Sequence, residues 1–132
     1  MIKTLLITRD KNISNEIFNF LTNKKNHNLE IASIEELVER EEIICDIIIY
    51  SIEKKEKQPF EILKVLSENV PVIVLLNGEK LKNSNETSIK LIQNGAKTIL
   101  YNIKEDTLVY SIERIYELEY NQSNLKQRKQ QN

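Results

Sequence analysis

Apolar residues fall into two kinds of segment that alternate along the chain. The first kind is short and nearly unbroken: Ile2 to Thr8 around Leu5, Leu6 and Ile7, then Leu29 to Ala32, Ile43 to Tyr50, Val70 to Leu76 and Thr98 to Tyr101. These read as strands. Ile47 to Tyr50 and Val70 to Leu76 show no polar alternation, which suits strands buried on both faces at the middle of a parallel sheet. Pro71 is compatible with that reading because it lies at the strand start.

The second kind repeats every three or four residues. Ile13, Ile17 and Leu21, with Phe20 beside them, lay an apolar stripe along a helix from about Ser14 to Asn23. Ser33-Ile34-Glu35-Glu36 has the Ser-x-x-Glu pattern of a capping box and predicts a helix from Ile34 to about Glu41, with Leu37 and Val38 inward. Pro59 opens another helix, where its missing N–H costs nothing, and Phe60, Leu63 and Leu66 supply its buried face. A helix over Asn85 to Gln93 is expected to turn Ile89 and Ile92 inward, and Gly95 supplies its stop. Leu108, Ile112 and Ile115 mark a last helix whose pattern persists to about Tyr120.

Strand and helix thus alternate five times. Strands separated by amphipathic helices cannot pair as hairpins, so the sheet is parallel, with right-handed crossovers placing helices on both faces. The expected architecture is an α/β doubly wound sandwich, a five-stranded parallel sheet of order 2-1-3-4-5. Residues 1–120 form the domain and 121–132 a polar tail or linker.

Composition narrows the function classes. The 19 basic and 20 acidic side chains nearly cancel, so no global charge holds nucleic acid or an anionic membrane. The mixed-sign run from Glu53 to Lys57 reads as a solvated loop, and Lys126 to Lys129 lacks aromatic residues for stacking bases. Cys45, the lone cysteine, reads as a buried reduced thiol, and His27 as a solvated loop residue; the two cannot assemble a metal site. Apolar runs under ten residues predict neither a membrane span nor a signal peptide, which makes cytoplasm the expected location. No direct nucleic-acid binding is expected.

Three segments in order support a family resemblance. Cys45-Asp46-Ile47-Ile48-Ile49-Tyr50-Ser51, Val70 to Asn77, and Gly95-Ala96-Lys97-Thr98-Ile99-Leu100-Tyr101-Asn102-Ile103 resemble the third strand, fourth strand and Gly-Ala segment of receiver domains of bacterial two-component response regulators. The resemblance covers Ile2 to Glu119 and implies the flavodoxin-like, CheY-like (βα)5 fold. It also implies phosphoryl transfer to an Asp, with two acids holding Mg²⁺, a hydroxyl that senses the phosphate, and a Lys that binds it. Here the acid pair falls on Thr8 and Arg9, the acceptor on Ser51, the hydroxyl on Leu76, the small residue beside it on Asn77, and the Lys on Asn102. Asp10 is the nearest acid, and one carboxylate is a poor Mg²⁺ site. Arg9 instead places a guanidinium where the metal would lie.

The resemblance therefore implies a degenerate pseudo-receiver with no catalytic residues, no bound metal or cofactor, and no enzymatic turnover. Its expected role is a phosphorylation-independent signalling or regulatory module that binds proteins. Two alternatives stand beside it. One is an atypical regulator that still responds to phosphorylation and controls an output. The other is a small-ligand binder using the rim at Thr8, Ser51, Asn77 and Asn102. In receivers the fourth helix, fifth strand and fifth helix form the face that dimers and targets use. The last helix here carries more apolar surface than one inward stripe requires, and tyrosines are enriched at interfaces. Tyr101, Tyr110, Ile112, Tyr116 and Tyr120 are accordingly expected at a self-association or partner surface.

Overall fold

The structure, a computed structural model, describes residues 1–53, 56–76 and 85–121. Five strands, β1 (Ile2–Ile7), β2 (His27–Ala32), β3 (Ile47–Ile52), β4 (Val72–Leu76) and β5 (Ala96–Leu100), alternate with five helices. These are α1 (Lys11–Thr22), α2 (Ile34–Val38), α3 (Pro59–Leu66), α4 (Asn85–Gln93) and α5 (Glu105–Tyr116), the last continued by a π-helical turn over Glu117–Asn121. The sheet is parallel throughout, as the alternation of segments implies, and its order is the expected β2-β1-β3-β4-β5.

The two central strands are buried along their whole length, so alternate residues feed two separate cores. Ile48, Tyr50 and Ile52 of β3, with Val72, Val74 and Leu76 of β4, meet Leu37, Leu63, Leu66 and Leu91 from α2, α3 and α4. Ile47, Ile49, Ile73 and Leu75 face the other way, onto Ile13, Ile17 and Leu21 of α1 and Leu108 and Ile112 of α5. Burying side chains of this size on both faces makes the sheet centre the principal source of stability.

Several boundaries differ from the sequence reading, each for a local reason. Helix α1 begins earlier because Asp10 acts as its N-cap, its carboxylate accepting the Asn12 N–H at 2.9 Å. The capping box at Ser33 and Glu36 forms as expected. The helix it opens stops at Val38, since Glu39, Glu41 and Glu42 would set carboxylates against the negative end of its dipole. Residues 43–46 are irregular, and the third strand runs from Ile47 to Ile52. In α4 the inward residue is Leu91, while Ile89 and Ile92 are 56% and 51% exposed. The expectation that these isoleucines pack inward is corrected: Leu91 is the aliphatic side chain that the turn at Gly95 (φ +116°) aims at the core.

No helix among the described residues is long and apolar enough to cross a membrane. Asn77, Gly78 and the basic segment Lys126 to Lys129 lie outside the described residues.

Candidate functional site

Parallel strands deliver their carboxyl ends to one rim, which is where open α/β sheets carry ligands. The register brings Thr8 and Ser51 to neighbouring positions, since Ile7 pairs with Tyr50, and sets Ile52 beside Leu76. Asn102 is exposed just past β5, which pairs with β4 through Leu75 and Leu100. The sheet thus brings Thr8, Ser51 and Leu76 to the same end, with Asn102 just past the neighbouring strand.

Their environments are unlike those of an open active site. Strand β3 continues through Ile52, so Ser51 is a strand residue, 2% exposed, and its hydroxyl has no hydrogen-bond partner among the described residues. Its expected place at the open rim is corrected, because Ile52 carries the strand one residue further. Leu76 is buried and aliphatic where the resemblance expects a hydroxyl. Thr8 is buried, its N–H bonded to the Ala32 carbonyl and its hydroxyl accepting the Asp10 N–H at 3.0 Å. Asp10 is committed to capping α1.

The charged residues converge on Arg9. Its Nη2 and Nε donate to the Glu35 carboxylate at the start of α2, and its Nη1 lies 3.5 Å from Glu56 Oε2. Glu53 closes the arrangement from below, its Oε1 accepting the Arg9 main-chain N–H at 3.1 Å and the Thr8 hydroxyl at 3.4 Å. One guanidinium therefore joins the ends of β1 and β3 to α2. The hydrogen bond to Glu35 raises the Arg9 pKa, and the same bond holds the Glu35 carboxylate below its usual range.

Glu56 behaves oppositely. Its side chain is 6% exposed, and burial pushes its carboxyl pKa up despite the attraction of Arg9. The neighbouring Tyr50 hydroxyl is buried without a well-formed hydrogen bond, and burial raises its pKa too. Between Thr8, Arg9, Tyr50, Ser51 and Glu56 the rim closes to a gap too small for a water molecule.

These residues do not fit Mg²⁺. A hard divalent cation needs several oxygens converging on one empty point. Here Glu35 and Glu56 are paired with a permanently charged guanidinium, Glu53 is bonded to the Arg9 main chain, and no group of three His, Cys, Asp or Glu side chains among the described residues is placed to hold a metal.

The sequence missed Glu35, Glu53 and Glu56 as members of this site. Glu53 and Glu56 were expected in a solvated loop, whereas the turn bonding the Glu56 N–H to the Glu53 carbonyl folds both carboxylates back onto Arg9. The signal available was an unpaired arginine directly after a first strand, which demands carboxylates from whatever lies across the rim. His27 is also corrected: it begins β2 with its ring covered, and Nε2 lies 3.2 Å from Glu113 of α5. Cys45 is half-buried, and burial pushes its thiol up to about 11, which leaves it unreactive at neutral pH.

Of the tyrosines, Tyr110 is 67% exposed on α5, and Tyr101 is partly buried with its hydroxyl bonded to Ser88 of α4. The Tyr116 and Tyr120 rings meet at a tilt with centroids 5.0 Å apart, and the Tyr120 hydroxyl donates to the Asp46 carbonyl at 2.6 Å. Burial pushes that hydroxyl up to about 12. Ile112 is completely buried against the sheet, so its expected place at an interface is corrected: it packs in the chain's own core.

Against solved structures, the chain is similar to a CheY-like response-regulator receiver domain protein from Methanospirillum hungatei, with TM-score 0.75 and 16% identity over 92% of this chain and 98% of that one. The fold is that of receiver domains. A Francisella response-regulator receiver domain matches with TM-score 0.72 and 21% identity over 89% of this chain and 98% of that one. The beryllofluoride-activated NtrC4 receiver domain dimer matches equally well in shape, with TM-score 0.72 and 18% identity over the same shares. No protein-family model and no curated protein matches the chain. At these identities the likeness describes the receiver backbone and leaves the chemistry to the side chains at its rim.

Proposed function

We propose that this chain is a pseudo-receiver: a signalling or regulatory module that binds protein partners without taking up phosphate and without catalytic turnover. The observation that carries this reading is Arg9 fixed among Glu35, Glu53 and Glu56 beside a buried Ser51. Serine attack on an acyl phosphate needs a base or metal to activate the hydroxyl. A phosphoryl group at Ser51 would also enter a closed gap beside the Glu56 carboxylate, with repulsion and desolvation both opposing it.

The working surface in this proposal is the face formed by α4, β5 and α5. Ile89 and Ile92 on α4 and Tyr110 on α5 are the large side chains it exposes, and they supply the apolar anchors that protein contacts use. A dimer among the similar structures supports self-association as one form of this binding. The proposal places the protein in the cytoplasm, in two-component or related regulation.

The test is incubation with acetyl phosphate, or with beryllium fluoride, plus Mg²⁺. Unchanged mass and unchanged amide resonances around Ser51 are expected. A covalent adduct, or a metal-dependent shift at Ser51 and Arg9, would overturn phosphorylation independence. Tyr110→Asp is expected to weaken any self-association at least tenfold by sedimentation, and an unchanged association constant would remove Tyr110 from the interface.

A further inference from the structure

The opposite flank of the sheet carries a second surface that the receiver rim and the α4-β5-α5 face leave unused. Helices α2 and α3 lie side by side with an open apolar groove of about 340 Å³ between them. Leu37 and Leu66 form its floor, Ile34, Ile43 and Ile62 its half-buried walls, and Val38 and Val65, 78% and 66% exposed, its lips. It runs on past Leu37 and Leu66 into a second depression of about 400 Å³ that reaches Val70. The cause is the early end of α2, whose single complete turn is too short to cover α3.

Its charge is one-sided. Glu61 lines the first depression, and Glu41, Glu42 and Glu68 line the second, none of them ion-paired with a described residue. Arg40, the one cation lining either depression among the described residues, is held by Glu30 at 2.6 Å. An elongated aliphatic groove with free carboxylates along its edge is complementary to an amphipathic helix, with aliphatic residues at i, i+3 or i+4 and i+7 flanked by Lys or Arg.

We infer that the α2-α3 groove docks a basic amphipathic helix of a partner protein. A second copy packed groove to groove would set these carboxylates against themselves, and an anionic membrane would be repelled by them. A small apolar molecule would remain half in water, because the groove is open along its length.

The experiment titrates the full isotope-labelled chain with three synthetic helical peptides of equal length: one Leu/Lys, one Leu/Glu in the same pattern, and a scrambled Leu/Lys peptide. Saturable binding of the Leu/Lys peptide is expected, with resonance shifts centred on Leu37, Val38, Ile43 and Val65. Val38→Ser combined with Val65→Ser should weaken it about tenfold, the fold-change of about 1.4 kcal/mol. Both side chains are exposed, so this variant keeps its fold. Glu61→Gln combined with Glu68→Gln should weaken binding several-fold at low salt and flatten its salt dependence.

Equal binding of the Leu/Glu or scrambled peptide, shifts centred on Tyr110, or unchanged affinity in the valine variant would each overturn the assignment. So would concentration-dependent self-association of the chain alone that shifts the same four residues, since the occupant would then be a second copy. Because this readout does not involve Ser51 or phosphate, it stands or falls apart from the reading of the rim.

Discussion

Glu56 holds a carboxylate at the strand ends with almost all of its side chain covered, and Arg9 is the only cation that reaches it among the described residues. Removing Arg9 leaves that charge buried and unpaired, which costs more than the partly exposed pair itself contributes. Arg9→Ala is expected to lower stability by about 1–2 kcal/mol in urea unfolding, discounted for the exposed Glu35 contact. Adding Glu56→Gln should recover more than half of the loss, a non-additivity that independent sites do not show.

The same residue sets a pH dependence. Burial raises the folded pKa of Glu56 above its ordinary value near 4.5, so the native state binds this proton more readily than the unfolded chain. Its contribution therefore favours the fold increasingly as pH falls from neutrality through the raised pKa, and is lost as pH rises. Glu35, with its pKa lowered, acts in the opposite sense and below its ordinary value. Melting temperatures at pH 7 and pH 5 should show wild type gaining relative to Glu56→Gln on acidification; a gain by the Gln variant would contradict the burial argument.

Among the elements, the join between α4 and β5 is the most tightly constrained. Gly95 has φ +116°, and a Cβ there would stand 2.0 Å from the Ser67 hydroxyl oxygen at the C-cap of α3. That hydroxyl in turn bonds the Asn94 carbonyl, so the side chain cannot swing away without breaking the contact between α3 and the turn. Gly95→Ala is expected to cost about 2–4 kcal/mol by chemical denaturation, from positive φ and overpacking together. A loss under about 0.5 kcal/mol would mean that the turn relaxes freely.

Elements were legible in the sequence wherever one local rule acted alone. The Ile13, Ile17 and Leu21 stripe, the capping box at Ser33, Pro59 opening α3 and the unbroken run of β4 are of this kind. Reading failed where two rules competed. Ile89 and Ile92 look like a helix's buried stripe, yet the turn at Gly95 fixes a rotation that buries Leu91 instead. Ile43 and Ile44 have strand propensity, yet Asp46 ends their run by bonding across to Lys3. The rim was half legible: Thr8 and Ser51 follow from strand position, while Glu35 and Glu56 belong to segments whose return to Arg9 only the tertiary fold determines.

For the molecule as a whole, apolar residues divide into those that hold it together and those left over. Ile49 lies at the centre of the sheet with no exposure, and Ile49→Ala is expected to cost about 2–5 kcal/mol. Val65→Ser, on the lip of the α2-α3 groove, should stay within about 0.5 kcal/mol of wild type in the same unfolding experiment. A large loss at Val65 would recast the groove lip as part of the core.

Asp46 links the two ends of the described fold. It exchanges bonds with the main chain of Lys3 through both its N–H and its carboxylate, and its carbonyl accepts the Tyr120 hydroxyl. The beginning of β1 and the turn that follows α5 therefore meet beneath the sheet, at the pole opposite Arg9, a strand length of roughly 17–20 Å away. A fold whose entry and exit adjoin can be inserted into a surface loop of an unrelated protein, or circularly permuted, with little strain on either side. A carrier attached there would lie a strand length away from the rim at Arg9.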